Sequence, residues 1–166
     1  MGFKNTNTFQ EGDLLRTRRD VGYYHYGVAS SNSTVIHFSG VEGDNVLNPD
    51  NIKIIETPIE QFVREDFLQV QIPFKSKFSR EEIVKRARNC IGNSKFNGKH
   101  YNLVSNNCEH FARYCYYGKR TSHQVSLIVG SSAGALLSPI YLHGSIITLL
   151  TKNIAHKIKK SKKKKK

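Results

Sequence analysis

The sequence predicts one α+β domain, followed by an apolar segment and a lysine-rich tail. Strand-forming runs dominate the first half of the chain, and two helix-start signals follow in the second half. A chain of 166 residues is long enough for one domain with its own core plus an appendage. We therefore expect a flexible N-terminus at residues 1–10 and a folded domain at residues 11–124.

The first half of this domain is expected to be built from strands. Gly12 to Arg18 has the pattern of a first strand, and Asp20 to Gly22 are typical turn residues. The β-rich runs Tyr23 to Ala29 and Thr34 to Phe38 are separated by short polar residues, which indicates a hairpin. The later predicted elements are a strand over 52–56, a short helix over 58–64, a strand over 67–72 and a capped helix from Ser79 to Gly92.

Two histidines lie in the predicted hairpin. If its turn is centred on Ser31, His25 lies directly opposite His37, with their Cβ atoms roughly 4.5–5.5 Å apart on one face. The two imidazoles could then touch or share a partner. This symmetry does not say which of them would act as a base.

Cys108 lies where a helix is expected to begin. The segment from Asn106 to Gly118 has an Asn N-cap signal and a C-terminal Gly, which places Cys108 in the first turn. Unpaired backbone N–H groups and the helix dipole favour thiolate there, and thiolate is the form that attacks a carbonyl carbon. One histidine could take the thiol proton while the other holds the first ring in the required tautomer.

Simpler interpretations exist for each of these residues. Most intracellular cysteines are buried structural thiols, and Cys108 becomes a candidate nucleophile only together with the two histidines. We expect Cys90 and Cys115 to pack in the core, and Glu109 and His110 to have structural roles. A zinc site is conceivable from the residue types, but the spacing does not support it.

The chain resembles the lecithin retinol acyltransferase family, which includes the HRAS-like suppressor phospholipase/acyltransferases. The resemblance rests on Gly12-Asp13-Leu14-Leu15, His25-Tyr26-Gly27-Val28, His37, Asn107-Cys108-Glu109-His110-Phe111 and Tyr117-Gly118, all in family order over residues 10–125. It implies a circularly permuted papain-like (NlpC/P60-type) domain at residues 11–124. It also implies that His25 is the general base, His37 the orienting histidine and Cys108 the acyl-accepting nucleophile. The family usually has Trp after the first histidine, where this chain has Tyr26.

The net charge of +13 comes mainly from the C-terminal tail. Residues 151–166 contain nine lysines and no acid, so the other 150 residues carry 17 basic and 13 acidic side chains. A lysine run beside an apolar segment is typical of a chain that faces an anionic lipid surface. We therefore expect a membrane partner and no nucleic-acid partner.

Residues 125–150 form the apolar segment and are expected to anchor the protein to a membrane. As one helix they would be roughly 39 Å long, enough to cross a bilayer with tilt, although Pro139 also permits a re-entrant anchor. No apolar secretory signal precedes the domain, so we expect a membrane-associated protein whose catalytic domain is cytosolic. Lys163-Lys164 fits a dilysine retrieval signal, which makes the endoplasmic reticulum a candidate compartment.

Together these features predict a thiol acyltransferase or phospholipase A1/A2-type enzyme. By the resemblance, an acyl group would pass from a glycerophospholipid through a Cys108 thioester to water, a lysophospholipid, an amine or a retinol-like alcohol. We expect no cofactor and no metal, and the sequence leaves the oligomeric state open. Two alternatives remain: an NlpC/P60-like cysteine peptidase, which would need a polar cleft, and a non-catalytic membrane-associated regulator, in which Cys108 would be unreactive.

Overall fold

The computed structural model describes residues 2–19, 23–40, 51–71, 76–102 and 105–122. The predicted membrane segment at 125–150 and the lysine tail at 151–166 lie outside these ranges. Among the helices of the described residues, none is both long and apolar enough to cross a membrane.

The described residues form eight strands and three helices. In chain order they are β1 (Phe3–Asn5), β2 (Leu14–Arg18), β3 (Tyr24–Ala29), β4 (Thr34–Gly40), β5 (Ile52–Pro58), α1 (Ile59–Val63), β6 (Leu68–Gln71), α2 (Arg80–Arg88), β7 (Lys95–Phe96), β8 (Lys99–His100) and α3 (Cys108–Tyr117). This composition confirms the predicted α+β class. Within the stretch expected to be a flexible N-terminus, β1 instead pairs with β6.

Six strands form one antiparallel sheet in the order β1-β6-β2-β3-β4-β5. Strands β2 to β5 follow one another as a meander, and β6 returns to pair with β2 on the far side. The chain therefore has to cross one face of the sheet between β5 and β6. Helix α1 lies on that crossing and contacts β2, β4 and β5.

Alternation along the strands separates the two faces of the sheet. One face packs against α2 and α3 through a cluster that includes Val28, Ile36, Ile83 and Phe111. The other face packs against α1 through a smaller cluster that includes Leu15, Val35 and Phe62. The sheet is thus covered on both sides, and the hairpin of β3 and β4 lies between the two clusters.

Candidate active site

The structure brings the two predicted histidines together, but not in the predicted register. In the β3–β4 pair, His37 lies opposite Gly27, and Ala29 lies opposite Val35. The hairpin is therefore centred on Asn32 and not on Ser31. The residue predicted to lie opposite His25 was therefore wrong by two positions along β4. A shift of two positions keeps the same face, so His25 and His37 are diagonal neighbours on one face of the sheet.

The diagonal placement brings the two imidazoles into direct hydrogen-bond contact. Nε2 of His25 lies 2.8 Å from Nδ1 of His37, and the ring planes are almost perpendicular at 88°. On its other side, Nε2 of His37 lies 2.9 Å from Oγ1 of Thr57 on β5. Both histidines are buried. Three neighbouring strands thus supply a chain of hydrogen-bonded side chains.

Phe62 of α1 packs against both imidazoles. Its ring centroid is 5.4 Å from that of His25 and 5.3 Å from that of His37. Gly27 makes room for this ring, since a Cβ at position 27 would lie 3.0 Å from the Phe62 ring and 2.4 Å from Cγ1 of Val35. Arg19 donates a hydrogen bond to the Phe62 carbonyl and holds this end of the helix. The histidine pair therefore has an apolar support that limits ring rotation.

Cys108 is the first residue of α3, as the helix-start pattern predicted. Asn107 is the N-cap, and its Oδ1 accepts a hydrogen bond from the backbone N–H of His110 at 3.1 Å. In return, the backbone N–H of Asn107 donates to Nδ1 of His110 at 3.3 Å, which completes a capping box. At the other end, Gly118 adopts the left-handed conformation with φ of 71°. The cap thus fixes the backbone that carries the thiol.

Cys108 is 2% exposed and belongs to the core cluster on the α3 side of the sheet. The same cluster contains Tyr26, which precedes Gly27 and follows His25 in β3. Burial raises the pKa of the Tyr26 hydroxyl, and the nearby Glu109 carboxylate adds to this effect. Cys108 therefore approaches the strand that carries His25 from the side of Tyr26.

The strand register also shows which face of the sheet carries His25. Pairing between β3 and β4 includes Ala29↔Val35 and Gly27↔His37, and His25 pairs through β2 opposite Thr17. Positions 25, 27 and 29 share one face of the sheet, because side chains alternate along a strand. Ala29 belongs to the cluster that packs against α1, so His25 lies on that face.

The two residues that follow Cys108 have structural partners. Glu109 is fully buried, accepts a hydrogen bond from Ser122 Oγ and lies 3.9 Å from the guanidinium of Arg113. Burial lowers the pKa of His110, which favours the neutral ring, and Nδ1 of that ring lies 3.3 Å from the backbone N and 2.9 Å from Oδ1 of Asn107. These contacts agree with the structural roles expected for both side chains.

The other two cysteines pack in or against the same core. Burial raises the pKa of the Cys115 thiol, with the nearby Cys90 adding to the effect. Burial also raises the pKa of Cys90, whose Sγ donates to the Arg86 carbonyl. Both thiols are thus held in the protonated form, which is the less nucleophilic one.

Sequence reasoning missed Thr57 and Phe62. The predicted strand ended at residue 56, one residue before Thr57, and no local pattern shows which β5 side chain lies beside His37. The predicted helix did include Phe62. Its contact with the histidines depends on the path of α1 across the sheet, which the sequence does not display.

Comparison of the sequence with known proteins assigns the chain to a family. The family model described as lecithin retinol acyltransferase matches residues 7–121, which is more than half of the chain. The human protein named phospholipase A and acyltransferase 2 is 30% identical over 139 residues, covering 75% of this chain and 83% of that protein.

Two lecithin retinol acyltransferases are also similar to the chain. The mouse protein is 34% identical over 80 residues, which cover 44% of this chain and 32% of the mouse protein. The human protein is 25% identical over 178 residues, which cover 87% of this chain and 74% of that protein. Because the family match includes the histidine hairpin and the cysteine helix, the chain belongs to the lecithin retinol acyltransferase family.

Proposed function

We propose that the chain is a cysteine-dependent acyltransferase or phospholipase A. The observation that carries this proposal is the buried hydrogen bond between His25 and His37, in a chain whose Cys108 begins a capped helix. In the proposed reaction the Cys108 thiolate attacks an ester carbonyl, and the ester C–O bond breaks. The alcohol part leaves with the proton that the general base had taken from the thiol, and the acyl group stays on Cys108 as a thioester. Water or an acceptor molecule then attacks the thioester and releases the acyl group.

His25 is the proposed general base, and His37 is the proposed orienting residue. The contact with His37 uses Nε2 of His25, so proton transfer from the thiol would use Nδ1. Helix α3, which begins with Cys108, packs directly on β3, the strand that carries His25. That packing supports an approach of Cys108 to the imidazole.

Two effects act in opposite directions on the Cys108 thiolate. Its position in the first turn of α3 favours the negative charge, whereas its nearly complete burial disfavours it. A neighbouring imidazolium tips this balance toward thiolate, as in other cysteine–histidine sites. The mechanism therefore requires the histidine pair and not the helix start alone.

The fold detail proposed with this mechanism is a circularly permuted papain-like arrangement. Its support is that the strand-borne histidines precede the cysteine helix in the chain and that α3 packs directly on β3. An antiparallel sheet with a helix that begins at the nucleophile suits a cysteine–histidine site of this type.

The names of the relatives suggest the substrate class. One of them is named as a phospholipase A and acyltransferase, and two as lecithin retinol acyltransferases. We propose a glycerophospholipid acyl donor, with cleavage at the sn-1 or sn-2 ester. A lipid donor also fits the apolar segment at residues 125–150, which we propose anchors the enzyme at a membrane with its catalytic domain in the cytosol.

Fatty acid release from phosphatidylcholine vesicles tests this function. We expect release by the full chain and background release by Cys108→Ala, with Cys115→Ala as the control for removal of a buried thiol. Release that persists in Cys108→Ala would exclude the covalent mechanism. Cleavage of a peptide but not of the vesicles would indicate a peptidase, and no reaction with either would indicate a non-catalytic regulator.

A further inference from the structure

We propose that Thr57 is a positioning residue of this site. Its hydroxyl oxygen accepts a hydrogen bond from His37 and so selects the imidazole tautomer in which His25 can receive a proton. This inference rests on the proposed function, because it concerns how the same histidine pair would activate Cys108.

The strand register explains why Thr57 reaches His37. On β5, Ile55 lies opposite His37 and Thr57 lies opposite Val35. Thr57 is therefore a diagonal neighbour of His37 on one side, as His25 is on the other. His37 is within hydrogen-bond distance of both diagonal neighbours, at 2.8 Å from His25 Nε2 and 2.9 Å from Thr57 Oγ1.

The direction of these two hydrogen bonds decides whether His25 can be a base. A neutral imidazole carries one N–H and one lone pair. If Thr57 donates to Nε2 of His37, the His37 proton lies on Nδ1 and is donated to Nε2 of His25. The proton of His25 then occupies Nδ1, and the ring cannot accept one from a thiol at that atom.

The opposite direction produces a competent base. If Thr57 accepts, His37 carries its proton on Nε2, and its Nδ1 accepts the Nε2–H of His25. The lone pair of His25 then lies on Nδ1. Thr57 is only partly buried, so its own hydroxyl proton can be donated to solvent while its oxygen accepts.

The proton count balances in this arrangement. One proton leaves Sγ of Cys108 and bonds to Nδ1 of His25, which forms a thiolate and an imidazolium. The imidazolium still donates from Nε2 to the neutral His37, and His37 still donates to Thr57. Thr57 therefore makes the same hydrogen bond before and after the transfer.

Groups from α1, β2 and the α3 side also lie near the histidine pair. From α1, the apolar Phe62 covers both rings, and its carbonyl accepts from Arg19 after β2. Thr17 faces His25 from β2. On the α3 side, Tyr26 has Glu109, Cys108 and Arg16 near it, and Arg113 lies 3.9 Å from Glu109.

Alkylation of Cys108 by iodoacetamide between pH 5 and 9, followed by peptide mass spectrometry, tests this inference on the full chain. Thr57→Val keeps the shape and the strand preference but removes the acceptor, whereas Thr57→Ser keeps a hydroxyl. We expect about five- to tenfold slower labelling of Cys108 in Thr57→Val at pH 7. The midpoint of its pH profile should move upward, and Thr57→Ser should behave like the wild type.

Equal labelling profiles in Thr57→Val and the wild type would overturn the inference. So would equal losses in both variants together with a lower melting temperature, since that indicates a packing role. Nitrogen-15 spectra of the wild-type histidine rings give a check that needs no variant. We expect a proton on Nε2 of His37, and a proton on its Nδ1 would contradict the inference.

These readouts do not require turnover. If the wild type formed no acyl-enzyme, the proposed function would fail, while the labelling profile and the ring spectra would still report on Thr57. If the wild type formed the acyl-enzyme and Thr57→Val labelled normally, only the role of Thr57 would fail.

Discussion

The three cysteines differ in environment although all are at least half-buried. Cys108 has the helix start and lies near the strand of His25, whereas Cys115 and Cys90 have pKa values raised by burial. We predict that Cys115→Ala and Cys90→Ala retain activity, with a loss of stability of about 1 kcal/mol for the fully buried Cys115. Activity assays and thermal unfolding check this. A loss of activity greater than the unfolded fraction explains would contradict it.

The two histidines are expected to contribute unequally. We predict that His25→Ala lowers kcat/KM on a short-chain ester by about 10²–10⁴-fold, since it removes the base. His37→Gln should lower it less, because an amide can still hold Nε2 of His25. If His37→Gln proved more damaging than His25→Ala, the two roles would have to be exchanged.

The sequence predicted the reactive residues of the proposed site, but not the residues that hold them in place. The reactive residues stand out because a thiol at a helix start and two histidines on a hairpin form a recognisable combination. Thr57 and Phe62 are ordinary strand and helix residues whose importance comes only from contacts across the sheet. No local pattern encodes such contacts.

At the scale of elements, helix starts were predicted better than strand register. The predicted end of α2 at Gly92 was wrong, since the helix ends at Arg88. The N-cap of α3, its C-terminal Gly118 and the Ser79 N-cap of α2 all appear in the structure. The hairpin register depended on the loop instead. Oγ of Ser31 accepts from the backbone N–H groups of Ser33 and Thr34, which closes a loop centred on Asn32.

The cap of α3 can be tested against that of α2. We predict that Asn107→Ala lowers the free energy of unfolding by about 0.5–2 kcal/mol and also lowers activity, since it loosens the turn that carries Cys108. Ser79→Ala is the matched control, because it removes a side-chain acceptor for Glu82 N–H at the other helix start. It should cost similar stability and leave kcat unchanged. Equal activity losses would show that the cap has no particular effect on the site.

The close packing of Gly27 against Val35 and Phe62 can be tested by adding a methyl group at position 27. We predict that Gly27→Ala destabilises the fold by about 1–3 kcal/mol, because its Cβ would lie 2.4 Å from Cγ1 of Val35. Combining it with Val35→Ala removes the tightest contact. In denaturant unfolding, the double variant should therefore lose less free energy of unfolding than the two single variants lose together. Additive losses would argue against this steric explanation.

At the scale of the whole molecule, the crossing of α1 links the fold to the proposed site. Strand β6 pairs with β2, so the connection from β5 has to pass the face that carries the histidines. The sequence predicted the elements of this connection. It could not predict the strand order, because pairing between distant strands depends on which faces pack together and not on local pattern.

The apolar segment at residues 125–150 can be tested by truncation. Truncation after residue 124 keeps Ser122, which hydrogen-bonds Glu109, and removes the proposed anchor. We predict that it releases the protein from membranes and lowers activity on vesicles, while hydrolysis of a soluble short-chain ester persists. Sedimentation and the two assays measure this. A truncated chain that still sediments with membranes would place the anchor elsewhere.

The central claim is that Cys108 carries the acyl group during turnover. Intact-protein and peptide mass spectrometry of the full chain, quenched in acid after mixing with phosphatidylcholine vesicles, tests it most directly. We predict a mass increase equal to one fatty acyl group on the Cys108 peptide, lost on treatment with hydroxylamine and absent in Cys108→Ala. Fatty acid release by the wild type without any acyl adduct on Cys108, even at the earliest quench times, would contradict the claim.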